Sequence, residues 1–391
     1  MRPRLLAFSA CLLSASAFAQ NVIVLDDDGG PGVDYTNLQD AIDAAQPYDR
    51  IDARTGSYGY GVITKPLTIM GQPFANHHFG PVSRTAQLTI AGLQAGETVV
   101  VADFEADTIL VEPNQGAIVL DRIVSVDIHI DQARDVRIRD ASVIQWPWSQ
   151  PSPAIEANDS FVQLVGSVVQ GKDQSSGSQL NGTDAIVVQG NSTLLLADVQ
   201  VTGGKGSDEP GCAASPGFGG NALRCTNSTV RVLRSSLTSG EGGAGCGGTV
   251  ASDGFAIRNI ASSILTSDST ITGVVSNPAL VQDIGGFPMM NLTGGSQPGE
   301  TADFEVFVAG GISTRLFIGR RPTMTPLPLI DLPLLHSAER GLSLGVSPPS
   351  GQRTLPFLIP GLQPGTLVFA QASGTNGAGT ALSNSVTLVV R

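Results

Sequence analysis

From about residue 86 the chain repeats apolar residues set seven apart: Ala117/Val124, Val136/Val143, Val162/Val169, Leu194/Val201, Val230/Leu237 and Ile264/Ile271. Successive starts are separated by 19, 26, 32, 36 and 34 residues. A fixed core carrying a variable insertion is the mark of a solenoid. The units, such as 162–169 and 230–237, are short β runs rich in Val and Leu. The shortest repeat has room for one coil of three short strands, whose apolar faces are buried only when coils stack.

Ahead of each core the pattern predicts a further strand, at residues 128–130, 154–157, 185–188, 222–225 and 256–259. Strand side chains alternate between faces, so Ile128, Ile155, Ile186, Leu223 and Ile257 form one inward column. Ile130, Ala157, Val188, Cys225 and Asn259 form a second inward column. His129, Glu156, Val187, Arg224 and Arg258 then project outward, roughly 4.8 Å apart from rung to rung. Asp159-Ser160, Asn191-Ser192 and Asn227-Ser228 fall in register at the following turn, where stacked Asx and Ser side chains hydrogen-bond turn backbones. Their role is read as structural, and the Asn-x-Ser/Thr matches among them as part of the same ladder.

At the N-terminal end, Thr36-Asn37-Leu38-Gln39 reads as a capping box opening a helix over residues 38–45, with Leu38, Ala41, Ile42 and Ala45 on one face. Ala41-Ile42-Asp43-Ala44-Ala45 is followed by Asp49-Arg50-Ile51, Gly56-Ser57-Tyr58 and Ile63-Thr64-Lys65-Pro66-Leu67-Thr68-Ile69-Met70-Gly71. Together they resemble the opening of right-handed parallel β-helix proteins of the pectin-lyase-like superfamily. With the repeats the resemblance covers about residues 21–290. It implies an all-β fold: a right-handed parallel β-helix solenoid plugged by a short N-terminal capping helix. It says little about activity, because that superfamily holds lyases, hydrolases, esterases and adhesins. After Gly294-Gly295, runs at 304–308, 314–318, 355–359, 367–372 and 385–390 predict a small β-sandwich. Its ending is similar to C-terminal modules of exported bacterial proteins. The expected organisation is a leader over 1–19, a solenoid over 20–290 and a β-sandwich over 300–391.

Charge and composition narrow the function. The 391 residues carry 22 Lys plus Arg against 34 Asp plus Glu, and no basic patch to neutralise phosphates, so nucleic acid is excluded as a partner. Residues 1–19 read as a secretory signal: Arg2 and Arg4, an apolar run from Leu5 to Leu13, and Ala17-Phe18-Ala19 as the cleavage site. No later stretch approaches the ~20 apolar residues of a membrane span. The expected location is outside the cell, secreted or at its surface, as a monomer.

The insertions 171–184, 203–221 and 239–255 precede the same strand and would wall a groove over its outward face. Proteins resembling this fold carry their sites there. The weak catalytic candidates are His129, Glu156, Arg224 and Arg258, with Asp131, Asp184 and Asp253 lining the groove. Uronan β-elimination needs a base and cationic help for the carboxylate, and Arg224 over Arg258 invites an anion, unless Glu209, Glu241 or Asp253 closes the pair internally. Val187 interrupts the column, and with aromatics at 5% sugar platforms are scarce. Asp103, Glu105 and Asp107, and Asp127 with Asp131, alternate outward and are the weak calcium candidates; no other cofactor is implied. Cys212 and Cys246, both in Gly-rich insertions, are expected to form a disulfide, leaving Cys225 a buried thiol. The function carried forward is a non-catalytic exported protein binding polysaccharide, with a polysaccharide lyase and a structural adhesin or stalk as alternatives.

Overall fold

The computed structural model describes residues 21–72, 83–146, 151–174, 180–209, 215–283, 288–308, 310–325, 334–336, 340–376 and 379–391. The expected leader therefore lies outside the described residues. Eleven parallel strands, from Val22–Leu25 to Val281–Asp283, form one long sheet. A second sheet of fifteen strands runs beside it. The chain visits both on every coil: Ile155–Asn158 in the second sheet, Phe161–Val165 in the first, then Val168–Gln170 back in the second. Parallel pairing of each strand with its counterpart one coil later makes the architecture solenoid-like and all-β.

The inward columns follow the alternation. Ile128, Ile155, Ile186, Leu223 and Ile257 are in register and fully enclosed, and Cys225 and Asn259 pair in the second column. The seven-residue pairs hold from Val136/Val143 onward. The first pair shifts by one: Val136 registers on Ile118 and Val143 on Ser125, so Ile118, and not Ala117, points into the core. Two left-handed corners turn each coil. One holds Gln132, Asp159, Gly190, Asn227 and Ala261; the other holds Asp103, Arg122, Asp140, Gly166, Asp198, Arg234 and Asp268. Asp, Asn and Gly tolerate this backbone region best. The serines behind the first corner form the expected ladder, with Ser160 N donating to Ser192 Oγ at 3.1 Å and Ser228 N to Ser262 Oγ at 3.0 Å.

The helix Leu38–Ala44 covers the first coils with Leu38, Ala41 and Ile42 buried. Its N-cap is Asn37, one residue later than the capping box placed it. Gln39 is instead a tie to the second sheet: its Oε1 accepts the Val62 N–H at 2.7 Å.

Antiparallel sheets follow from Met289. Three strands (Met289–Gly294, Thr301–Phe307, Gln352–Leu358) and four (Ser313–Gly319, Arg340–Val346, Leu367–Asn376, Gly379–Val389) share one core that includes Phe304, Leu316, Val368 and Val386. These sheets lie on the outer face of the eleven-stranded sheet. Val100, Ala102 and Val119 pack against Phe369 and Val389, and Val165, Leu195, Ala197 and Leu233 pack against Met289 and Leu382. Burying polar groups there requires partners. Gln163 exchanges both amide bonds with the Ser385 backbone. Arg391 pairs with Asp103 and Asp121, and the Arg137 guanidinium sits 4.6 Å over the Phe369 ring while bound to Asp135.

Candidate functional site: the outward polar face

The outward column runs farther than the repeats alone indicated. Val62, Thr89, Leu110, His129, Glu156, Val187, Arg224 and Arg258 stand on consecutive rungs of the second sheet. His129 is the centre of its polar part. Its Nδ1 lies 3.4 Å from Glu156 Oε2 and its Nε2 lies 3.8 Å from Asp127 Oδ1. The hydrogen bond to Glu156 raises the imidazole pKa above its ordinary value, against partial burial, with Asp127 adding to the rise. The same bond holds Glu156 below its ordinary value. The pair is thus favoured as imidazolium and carboxylate. Glu156 Oε1 also accepts Gln189 Nε2 at 3.1 Å, and Asp131 accepts Asn158 Nδ2 at 2.8 Å.

Arg224 and Arg258 register directly, as expected. The residue that closes on Arg224 is Asp184, Oδ2 to Nε at 2.7 Å, and none of the three acidic residues first considered for it. Asp184 also accepts the Asn221 backbone N–H at 2.9 Å and its side-chain amide at 2.6 Å. Arg258 is exposed and has no acidic partner among the described residues. Val187 is buried at 3% exposure, so it separates the His129–Glu156 cluster from the arginines with a covered apolar surface.

The Gly-rich insertions are not open walls. Extended arms from successive coils stack in two layers, and glycines face backbone at contact distance. A Cβ on Gly182, Gly204, Gly206, Gly217, Gly220, Gly240, Gly243 or Gly254 would meet a carbonyl of a neighbouring arm far inside contact distance. A backbone ladder crosses the layers: Gly204 N to Thr183 O at 2.9 Å, Gly220 N to Gly204 O at 2.8 Å, Gly240 N to Gly220 O and Gly254 N to Gly240 O, each at 2.9 Å. Other N–H groups of the arms are capped by side chains. Asp173 takes Lys205 N at 2.7 Å, Asp208 takes Ala244 N and Asp253 takes Gly242 N, both at 2.8 Å. Asp184 and Asp253, expected to line a groove, are therefore backbone caps of this slab. The sequence signal was the three-residue spacing of Gly217/Gly220 and Gly240/Gly243, the period of a polyproline II-like chain.

The calcium candidates do not assemble. Asp103 leaves the strand face of Glu105 and Asp107, sitting at a left-handed corner (φ 52°) paired to Arg122 at 2.6 Å and to Arg391. Asp127 and Asp131 are engaged with His129 and Asn158. Among the described residues, the acidic trio close enough to share an ion is Asp26, Asp27 and Asp28, and there Arg54 already pairs with Asp26 at 3.1 Å. Cys225 is a buried free thiol whose pKa burial pushes up to about 11. Cys246 is disulfide-bonded, and Cys212, its expected partner, lies outside the described residues.

Fold and face together define a solenoid-like all-β protein with one preformed polar ladder. No family model matches the chain, and no curated protein matches it. One solved structure it is similar to is the chitinase ChiW from Paenibacillus sp. str. FPU-7, described as a bacterial cell-surface-expressed multi-modular enzyme machinery. The identity is 11%, the alignment covers 94% of this chain and 23% of that one, and the TM-score is 0.18. A likeness at that level carries no argument about activity.

Proposed function

We propose that this chain is an exported, right-handed parallel β-helix protein over residues 20–290, with a β-sandwich over 300–391, whose outward face from His129 to Arg258 binds polysaccharide without cleaving it. The observation that carries the reading is the occupancy of the reactive groups. Arg224 is held by Asp184. Glu156, the one carboxylate beside the column's histidine on the next rung, is held by His129 and Gln189. Both ring nitrogens of His129 face carboxylates of this chain, Nδ1 that of Glu156 and Nε2 that of Asp127, so neither is directed at a substrate C5 proton. What remains is a rigid row of donors and acceptors suited to hydroxyl groups.

The lyase alternative keeps one point in its favour: Arg258, in register with Arg224 and without an acidic partner among the described residues, could hold a uronate carboxylate. Both readings meet in one experiment. Residues 20–391 are titrated against pectate, alginate, glycosaminoglycans and neutral glycans, following both affinity and the ultraviolet absorbance of an unsaturated uronate. Binding that Glu156→Gln or Arg258→Ala weakens, without product, is the expected result. Product formation lost in Arg258→Ala would replace it with the lyase, and absence of all binding would leave a structural stalk or adhesin.

A further inference from the structure

A cavity of about 330 Å³ opens at the seam between the first parallel sheet and the antiparallel sheets, away from the polar face. We propose that it is a second binding site, for a single neutral polyhydroxylated ring such as one pyranose unit. Its lining includes the exposed Pro349, the buried Met289, Phe307 beneath the Arg234 guanidinium, and the polar residues Asp268 and Ser350. The lining is mixed, and a concavity of this size is large enough to take one small ring.

The rim chemistry selects the ligand class. Arg234 and Asp268 occupy one left-handed corner on successive rungs, with φ of 46° and 50°, and Arg234 N donates to Ser267 O at 2.9 Å. Asp198, one rung earlier on the same corner, pairs with Arg234 Nε at 3.2 Å. The guanidinium also lies 3.7 Å over the Phe307 ring. Its charge is thus balanced and its plane fixed, so it offers N–H donors without net attraction for an anion. Asp268 adds an exposed carboxylate whose one partner among the described residues is the Ser267 hydroxyl at 3.3 Å. A rim with fixed donors, a free acceptor and a surplus negative charge disfavours carboxylates and phosphates. A ring whose hydroxyls both donate and accept, and whose C–H face packs on the exposed Pro349, fits it.

Ligand-observed saturation-transfer NMR on residues 20–391 tests this with glucose, galactose, mannose, glucosamine and glucuronate as probes. At least one neutral hexose is expected to show transfer through its ring protons, and glucuronate none. Asp268→Asn should weaken that binding about tenfold, the effect of one hydrogen bond to a charged group. Ser350→Trp, which fills the cavity, should abolish it at an unchanged thermal transition. Arg258→Ala, on the polar face, should leave it intact, so failure of the polysaccharide face and failure of the seam site are told apart. The proposal is overturned by silence from all neutral hexoses, by transfer that survives Ser350→Trp, or by preference for glucuronate over the neutral sugars.

Discussion

Asp184 Oδ2 lies 2.7 Å from Arg224 Nε, and the same carboxylate receives two donors from Asn221. The two partners are unequal. Asp184 is the better buried, at 16% side-chain exposure against 40% for Arg224. Removing Arg224 deletes a largely solvated ion pair, whereas removing Asp184 strands an N–H of the slab. Arg224→Ala is therefore expected to cost less than about 1 kcal/mol, and Asp184→Ala about 1–3 kcal/mol. Urea denaturation of the two variants checks the order, and equal costs would show that the carboxylate is not a cap.

The His129–Glu156 pair sets a pH window. His129 has a folded pKa raised above its ordinary 6.5, so its contribution is fully present below that value and lost as pH rises through the folded pKa. Glu156 has a folded pKa lowered from 4.5, so its contribution is present above 4.5 and lost as pH falls through the folded value. Between those two ordinary values the bond is fully formed. The stability difference between the protein and its His129→Gln variant should peak there and shrink above neutrality. A difference that grows from pH 7 to 9 would contradict the assignment.

Glycine is required in the slab by contact, not by backbone freedom. Gly204 and Gly220 face Lys172 O and Thr183 O where no Cβ fits. Gly204→Ala or Gly220→Ala should destabilise by about 3 kcal/mol or prevent folding. Gly247, in an exposed turn of the next insertion with nothing near its Cβ position, is the control. Gly247→Asn is expected to cost under about 1 kcal/mol, because Asn accepts its φ of 64°. Calorimetric melting separates the two classes.

Arg391 joins the antiparallel sheets to Asp103 and Asp121, each of which also has an arginine of its own coils, Arg122 and Arg139. Arg391→Ala leaves two deeply buried carboxylates short of one partner, at a cost of about 3 kcal/mol. Arg391→Lys should recover part of that. Loss of stability in Arg391→Ala smaller than in Arg224→Ala would mean the seam is not held there.

Cys225 should resist a thiol label in the folded protein and react on unfolding, since it is fully enclosed with a pKa near 11. Peptide mapping under non-reducing conditions identifies what Cys246 is bonded to, with Cys212 the expected answer.

Much of the fold was legible because alternation over a strand admits one inward face. The Ile128–Ile257 column, the outward His129–Arg258 column and the corner serines follow from that alone. Register failed at Ala117 because residues 116–120 are apolar without alternation, and either neighbour could face in. The same feature held an unused signal. Val99-Val100-Val101-Ala102 and Leu194-Leu195-Leu196-Ala197 are apolar on both faces, which indicates strands covered on both sides. The cover is the set of antiparallel sheets, of which Met289–Gly294 and Arg340–Val346 were missed as strands. The site was less legible: Asp184 reaches Arg224 across an insertion of variable length, and nothing in spacing announces which acid turns back.

The seam also restricts how such a chain can change its length. Gln163 is tied to Ser385, Arg391 to Asp103, and Leu233 packs with Met289, so the antiparallel sheets span a fixed number of coils. Gain or loss of a whole coil between those anchors would pull at least one of them out of place. Coil duplication, the usual mode of growth for repeat chains, is blocked within that span. Variation is left to the insertions on the opposite flank, which is where the repeat spacing stretches from 19 to 36 residues.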